Sequence, residues 1–310
     1  MKTDNELLVL GIYVDDGLII STSEILGDFV IEHLKKNFEI TQSDNVKCYV
    51  GLEIEQFSDA IFICQTRYIE AVVKRFEIDT EKVVNVPYDR NSLSISDYEP
   101  GSPILGECDK PYRELLGCLI YLSNCSRPDI TFIVIKLSRF IKDARWLHWK
   151  AAIKVLMYLS TTKNLGILYK SGDMNLIAFS DSDFASDVDT RKSTSGNVFT
   201  LGGAAISWQS KLQNCVAVST AEAEFVAAAL AVRNLIWLKN FIFEIISEEL
   251  NITLYVDNQS AIKMIENPVM HNRTKHIDIQ YHFIRDIFQK GLFNLKYIPS
   301  KAQLFLLNLC

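Results

Sequence analysis

The chain has 310 residues, 48% of them hydrophobic and 23% charged, with a net charge of −6. That composition excludes a disordered chain, and the length suggests about two domains. The acidic balance argues against nonspecific nucleic-acid binding, yet the excess lies in residues 1–160 and the C-terminal half is neutral.

Residues 7–22, LLVLGIYVDDGLIIST, read as two apolar runs joined at Val14-Asp15-Asp16-Gly17, and an Asp-Gly between such runs signals a hairpin. An ordinary polar turn accounts for Asp16-Gly17 but gives no reason for Tyr13 and a second acid. Ser23 then precedes a helical pattern, Leu26, Phe29, Val30, Leu34 and Phe38. Residues 46–56 and 60–65 predict a second hairpin about Ser58-Asp59. Thr66 is expected to cap a helix through Ile69, Val72, Val73 and Phe76. Between Asn85 and Pro111 periodicity lapses among four prolines, which reads as a linker. Residues 113–125, 129–142 and 147–161 follow as three helices that carry no carboxylate pair.

The second half is patterned differently. Strand 175–181 is followed by a polar loop, strands 196–201 and 204–209 about Gly202-Gly203, and a long helix from Ser219 to Ile246. Strand 252–256, a helix at 259–265, a helix at 277–290 and a strand at 293–298 complete the order. In LIAFSDSDF (176–184) the period of two places Asp181 with Ile177 and Phe179, at the end of a buried strand. A carboxylate there costs desolvation unless a metal, a cation or water serves it. Asp257 ends a second strand, and Glu224 lies on the helix face bearing Ala221, Ala228, Ala231 and Leu235, small enough to sit close to the sheet. Three hard oxygen ligands at an open site suit Mg²⁺ or Mn²⁺ and phosphodiester hydrolysis. Each acid also has a plainer reading: Asp257 as a helix cap, Glu224 as a surface charge, and Asp183 in place of Asp181.

No apolar run approaches the ~20 residues that span a bilayer, and charge comes too early for a signal peptide, so a soluble, cytoplasmic or nuclear protein without membrane contact is expected. Seven cysteines without CxxC spacing indicate neither a disulfide framework nor a zinc site, and most are expected in the core. The run Lys263, Arg273, Lys275, His276, Arg285, Lys290 and Lys296 would suit a phosphate backbone, or equally a solvated face.

Nearly the whole chain resembles the Pol polyprotein of copia-type LTR retrotransposons. SDSDFASDVDTRKSTSGNVF, GGAAISWQSK, STAEAEFVAA, YVDNQSAI and RTKHIDIQYHFIRD are similar to its ribonuclease H domain. Upstream, Tyr13-Val14-Asp15-Asp16 resembles the YxDD box of its reverse transcriptase. GLEIEQ and QTRYIEAVVKRF are similar to the end of the palm, and YRELLGCLIYLSNCSRPDI and LHWKAAIKVLMYLSTTKNLG to the thumb and connection. The resemblance implies an α/β (α+β) chain: residues 1–84 the end of the palm, 85–170 a linker plus helical thumb or connection, and 171–310 a ribonuclease H-like domain with a mixed five-stranded sheet. It implies Mg²⁺ or Mn²⁺ as cofactor, RNA–DNA hybrid or other nucleic acid and further Pol segments as partners, and hydrolysis of the RNA strand. Asp181, Glu224 and Asp257 then take the places of the first three ribonuclease H carboxylates, with Glu224 preferred to Glu222, and Asp15 and Asp16 those of the polymerase carboxylates. His276, Asp278, His282 and Arg285 would hold the substrate or the C-terminal fold.

Two departures qualify that expectation. Leu306 stands where the family pattern QLADILTK carries a fourth carboxylate, which predicts weak cleavage. The chain begins just before the YxDD box, so the strand supplying the other polymerase carboxylate is missing and no autonomous DNA synthesis is expected. The alternative is a catalytically inactive remnant that keeps nucleic-acid binding; another nuclease of the same fold class, a transposase or integrase, fits the YxDD half poorly.

Overall fold

A computed structural model describes residues 2–3, 6–89, 105, 110–172, 174–267 and 278–302, with 2–3 and 278–281 as backbone only. The N-terminal sheet comprises β1 (Lys2–Thr3), β2 (Glu6–Tyr13) and β3 (Asp16–Ser21). Its turn lies earlier than the Asp-Gly signal suggests. Asp16 pairs with Tyr13 and Gly17 with Ile12, so both belong to β3, and Val14-Asp15 makes the turn. Val14 supplies the left-handed residue a tight hairpin needs, φ 51°, an uncommon conformation for a β-branched side chain. Ser23 caps α1 (Glu24–Lys35) by accepting from the Leu26 amide at 3.4 Å, and the helix stops short of Phe38.

The stretch expected as one strand at 46–56 is two, β4 (Cys48–Tyr49) and β5 (Leu52–Gln56). Val50 and Gly51, at φ 48° and 75°, turn the chain between them. Tyr121 donates its hydroxyl to the Val50 carbonyl at 2.6 Å and lies against Gly51 so closely that no Cβ fits there. β6 (Ala60–Cys64) completes the expected hairpin. Thr66 does not cap α2 (Thr66–Arg75); it is the first helical residue, and its hydroxyl donates to the Lys163 carbonyl at 3.0 Å.

Helices α3 (Tyr112–Cys125), α4 (Thr131–Ser138) and α5 (Trp146–Thr161) pack with α2 around one core, in which Leu115, Leu116, Leu119, Leu122, Leu137 and Leu156 are fully buried. Each such leucine contributes about 1.5–3 kcal/mol of burial. The strand that follows, β7 (Ile167–Lys170), is unsignalled in the sequence and extends the hairpin to the order β4-β5-β6-β7. Four residues bounded by Gly166 and Ser171 are too few to show a period, and Gly166 is needed because a Cβ there would strike the Ile63 carbonyl.

The remaining elements are β8 (Leu176–Ser182), β9 (Thr194–Leu201), β10 (Ala204–Leu212), α6 (Thr220–Ile246), β11 (Ile252–Val256), α7 (Gln259–Glu266), α8 (Asp278–Gln289) and β12 (Asn294–Tyr297). They form the expected mixed sheet, in the order β10-β9-β8-β11-β12, with β8, β11 and β12 parallel. Gly202 and Gly203 make the primed turn, both at positive φ. Leu176, Ala178, Phe199 and Leu254 face α6; Ile177, Phe179 and Tyr255 cover the opposite face, where the two rings stack at 5.4 Å.

Three expectations change. Helix α6 does not bury a single stripe: every residue from Glu222 to Ala229 is buried, because the helix touches α7 and α8 as well as the sheet, while Ala221 is only half-buried. By length and composition α6 would also cross a bilayer, and 56% of its most apolar window is buried inside the protein. Of the cysteines, Cys64 alone among the described residues is buried; Cys48 is exposed and Cys118, Cys125 and Cys215 lie between.

Candidate metal centre

β8 and β11 run parallel with Ser180 beside Val256, so the next residue on each, Asp181 and Asp257, lies side by side at the carboxyl end of the sheet. Glu224 descends on them from the start of α6. Each of the three carboxylates offers an oxygen within 4.8 Å of the others, and among the described residues this is the one such group of three.

Neighbouring groups decide which acids are available. Ser219 accepts from the Glu222 amide at 3.2 Å, and the Glu222 carboxylate accepts from the Val218 amide at 3.0 Å, which occupies Glu222 at the helix start and leaves Glu224, two residues on and on the other side of the helix, facing the sheet. Asn258, not Asp257, caps α7, taking the Ala261 amide at 3.0 Å. Asp183 accepts from the Thr194 amide at 2.6 Å and from the Ser186 hydroxyl, so its oxygens close the loop after β8. Asp257 accepts the Ser300 hydroxyl.

Ser182 orients the centre. Its amide lies 2.9 Å from Asp181 Oδ1 and 3.1 Å from Glu224 Oε1, and its hydroxyl donates to the same Glu224 oxygen at 3.2 Å. Glu224 Oε2 is buried with no N–H or O–H donor facing it. Burial, then the charges of Asp181 and Asp257, push the Glu224 carboxyl up to about 9; burial and then Asp257 also raise Asp181. A buried acceptor without a donor, among acids that repel one another, fits a cation, and the hard carboxylate oxygens suit Mg²⁺ or Mn²⁺.

One pH effect follows. Because the folded value for Glu224 lies above its ordinary 4.5, the metal-free fold binds a proton the unfolded chain has lost. Stability is fully present below that ordinary value and falls as pH rises towards 9. Melting in EDTA between pH 5 and 9 is expected to show a declining Tm, and saturating Mg²⁺ a shallower decline.

The polymerase-like pair is placed otherwise. Asp15 and Asp16 lie exposed at the β2–β3 turn beside exposed Tyr13 and Val14, apart from the group of three. Of the basic run, Arg285 donates to the Met264 carbonyl at 2.9 Å, joining α8 to α7, and Lys290 pairs with Asp286; Lys263 and Lys296 are exposed. Arg273, Lys275, His276, the Asp278 side chain and Leu306 lie outside the described residues.

Two buried charged networks escaped the sequence reading. Arg127, between the first two of the three expected helices, is buried and bonds Asp129 and Thr162. Arg139 on the helical unit grips Asp187 in the loop after β8. Burial works to raise the Asp187 carboxyl, but Arg139 and Thr190 outweigh it and hold it below the usual carboxylate range. The Arg-Pro-Asp spacing hinted at the first; nothing local marks the second, whose partners are 48 residues apart.

Residues 1–90 match the family model described as reverse transcriptase (RNA-dependent DNA polymerase). A Retrovirus-related Pol polyprotein from transposon TNT 1-94 of Nicotiana tabacum is 37% identical over 92% of this chain and 22% of its own length. A transposon Ty5-1 protein of Saccharomyces cerevisiae is 33% identical over 74% of each. The chain spans about a fifth of the length of the Pol polyproteins it matches. Among solved structures, a ribonuclease H1 isolated from compost by a metagenomic approach is 15% identical, with a TM-score of 0.32, covering 42% of this chain and 87% of that one.

Proposed function

The chain belongs to the Pol polyprotein family of copia-type LTR retrotransposons, and we propose that it hydrolyses RNA in RNA–DNA hybrids at the Asp181–Glu224–Asp257 centre. The observation that carries this reading is the convergence of three carboxylates within 4.8 Å with Glu224 Oε2 left without a donor. Mg²⁺ or Mn²⁺ held there would supply an activated water and offset the charge that develops at the scissile phosphodiester. The chain's own part is to hold the carboxylates. Ser182 fixes Asp181 and Glu224 through one amide and one hydroxyl, the parallel pairing of β8 and β11 fixes Asp257, and Ser300 orients its second oxygen.

In this proposal residues 1–84, 85–170 and 171–310 are the palm end, the helical connection and the nuclease domain of a cytoplasmic Pol segment that takes hybrid and further Pol segments as partners. Cleavage is weak, since Leu306 supplies no fourth carboxylate, and Asp15 and Asp16 support no autonomous DNA synthesis. The test is release of labelled RNA from a hybrid in Mg²⁺ or Mn²⁺, with primer extension on poly(rA)/oligo(dT) run alongside. Cleavage above an Asp181→Asn control, increased by Leu306→Asp, without primer extension, is expected. No cleavage above that control in either metal would favour the inactive remnant, and primer extension would overturn the polymerase part.

A further inference from the structure

The loop between β8 and β9 begins one residue beyond the Ser182 that holds the centre, and it is anchored from outside the sheet. Arg139, at the C-terminus of α4, donates through Nη1 and Nη2 to Asp187, at 2.9 Å to Oδ1 and 3.1 Å to Oδ2. The Asp187 side chain is 6% exposed and that of Arg139 30%, so the pair is shielded from water on the carboxylate side. Around Asp187 the loop is drawn tight: its amide reaches the Lys192 carbonyl at 3.2 Å, its carbonyl takes the Arg191 amide at 2.7 Å, and its carboxylate takes the Thr190 hydroxyl. Ala185 donates to the buried Ser193 hydroxyl, and Asp183 joins the two ends through Thr194. Ser182 pairs with Ser195 and Asp181 with Gly196 immediately inside that closure.

We propose that Arg139 and Asp187 are positioning residues for the metal centre: the helical unit, through this one bidentate grip, fixes the loop that keeps Asp181 and Ser182 in register with Glu224. The pairing is directional as well as charged, because a guanidinium meets a carboxylate through two parallel bonds and a lysine cannot reproduce both. Neither residue touches the reacting atoms. Loosening them displaces the carboxylates relative to one another and leaves their chemistry unchanged.

The inference rests on the proposed ribonuclease function for its kinetic readout, but metal affinity reads it independently. In the full 310-residue chain, Arg139→Gln, Asp187→Asn, Arg139→Lys and the double variant Arg139→Gln with Asp187→Asn are compared with the parent. The double variant removes both charges and leaves none stranded in a buried site, which guards against simple unfolding. Mn²⁺ affinity by calorimetric titration is expected to weaken about tenfold in the Gln, Asn and double variants, as for other outer residues that orient metal ligands. The Lys variant should fall between these and the parent. Where the parent cleaves hybrid, kcat is expected to fall about tenfold with KM within about twofold. Folded variants whose Mn²⁺ affinity and kcat equal the parent's, with only Tm lowered, would reduce the pair to a structural tie and overturn the proposal. A parent that binds Mn²⁺ without cleaving would sink the ribonuclease reading and leave the positioning test standing on affinity alone.

Discussion

Replacing Glu224 by Gln is expected to abolish hybrid cleavage while making the metal-free protein more stable. The two effects have one cause. Glu224 is 6% exposed, sits against Asp181 and Asp257, and has one oxygen held by Ser182 and the other facing no donor. Without a cation the folded chain keeps a proton on it, up to about pH 9, although free in water the group would ionise near 4.5. At pH 7 that preference costs stability on the order of 1–3 kcal/mol. Gln keeps the shape and carries no charge, so it escapes this cost, and its carbonyl still accepts from Ser182. A Tm rise of several degrees in EDTA is expected. The same amide is a poor ligand for a hard divalent ion, and cleavage should fall by at least about 10²-fold, more than the loss of an outer orienting group. The stabilisation by Mg²⁺ should shrink in parallel. A variant that loses both activity and metal-free stability would mark Glu224 as a packing residue and remove the argument for a cation at this place.

Much of the C-terminal unit was legible because its signals are local. The alternation in residues 176–184, the Gly202-Gly203 turn, the Ser219 cap and the strand ending at Asp257 each announce an element within ten residues or so, whereas the crossover that sets β11 beside β8 is seen only in the fold. From spacing alone, which acids share the centre was legible only as a set of alternatives, and the family resemblance preferred Asp181, Glu224 and Asp257. Asp183, Glu222 and Asp257 all have side chains able to cap or close a turn. The decision lies in hydrogen bonds from Thr194, Val218 and the competing Asn258, which no periodicity reveals. Elsewhere local signals misled. The Asp-Gly at 16–17 is a strong turn signal, yet pairing the apolar runs 7–12 and 17–21 moved the turn to Val14-Asp15. The helical unit's strand β7 was invisible because its partner, β6, lies about 100 residues earlier in the chain. Arg139 and Asp187 look like surface charges until the fold brings them together.

Arg127 is the position where a single substitution should most weaken the fold. Its side chain is 2% exposed, with Nε and Nη2 on Asp129 at 3.0 and 2.7 Å, Nη1 on the Thr162 carbonyl at 3.0 Å and Nη2 on the Thr162 hydroxyl at 2.6 Å. Its guanidinium also lies 5.4 Å from the centre of the Tyr158 ring, while Tyr158 donates to Asp129 at 2.7 Å. Four groups from the α3–α4 junction and the end of α5 thus converge on one cation. Arg127→Met keeps the aliphatic stem but leaves Asp129, only 22% exposed, with its charge and one remaining partner. A loss of about 3–5 kcal/mol in urea unfolding is expected. Adding Asp129→Asn should recover a good part of it, since the amide oxygen still accepts from Tyr158 and no charge is stranded. Equal losses for the single and double variants would show that packing, not the unpaired carboxylate, sets the cost. The consequence reaches the five-stranded sheet. Trp208 on β10 donates its indole N–H to the Ser123 carbonyl at 2.6 Å, four residues before Arg127 on the same helix end, and Arg139 follows on α4. A junction loosened at Arg127 therefore loosens these two ties between the helical unit and the sheet, so Arg127→Met should lower the temperature at which cleavage is lost, and the Asn partner should restore it in the same proportion as stability.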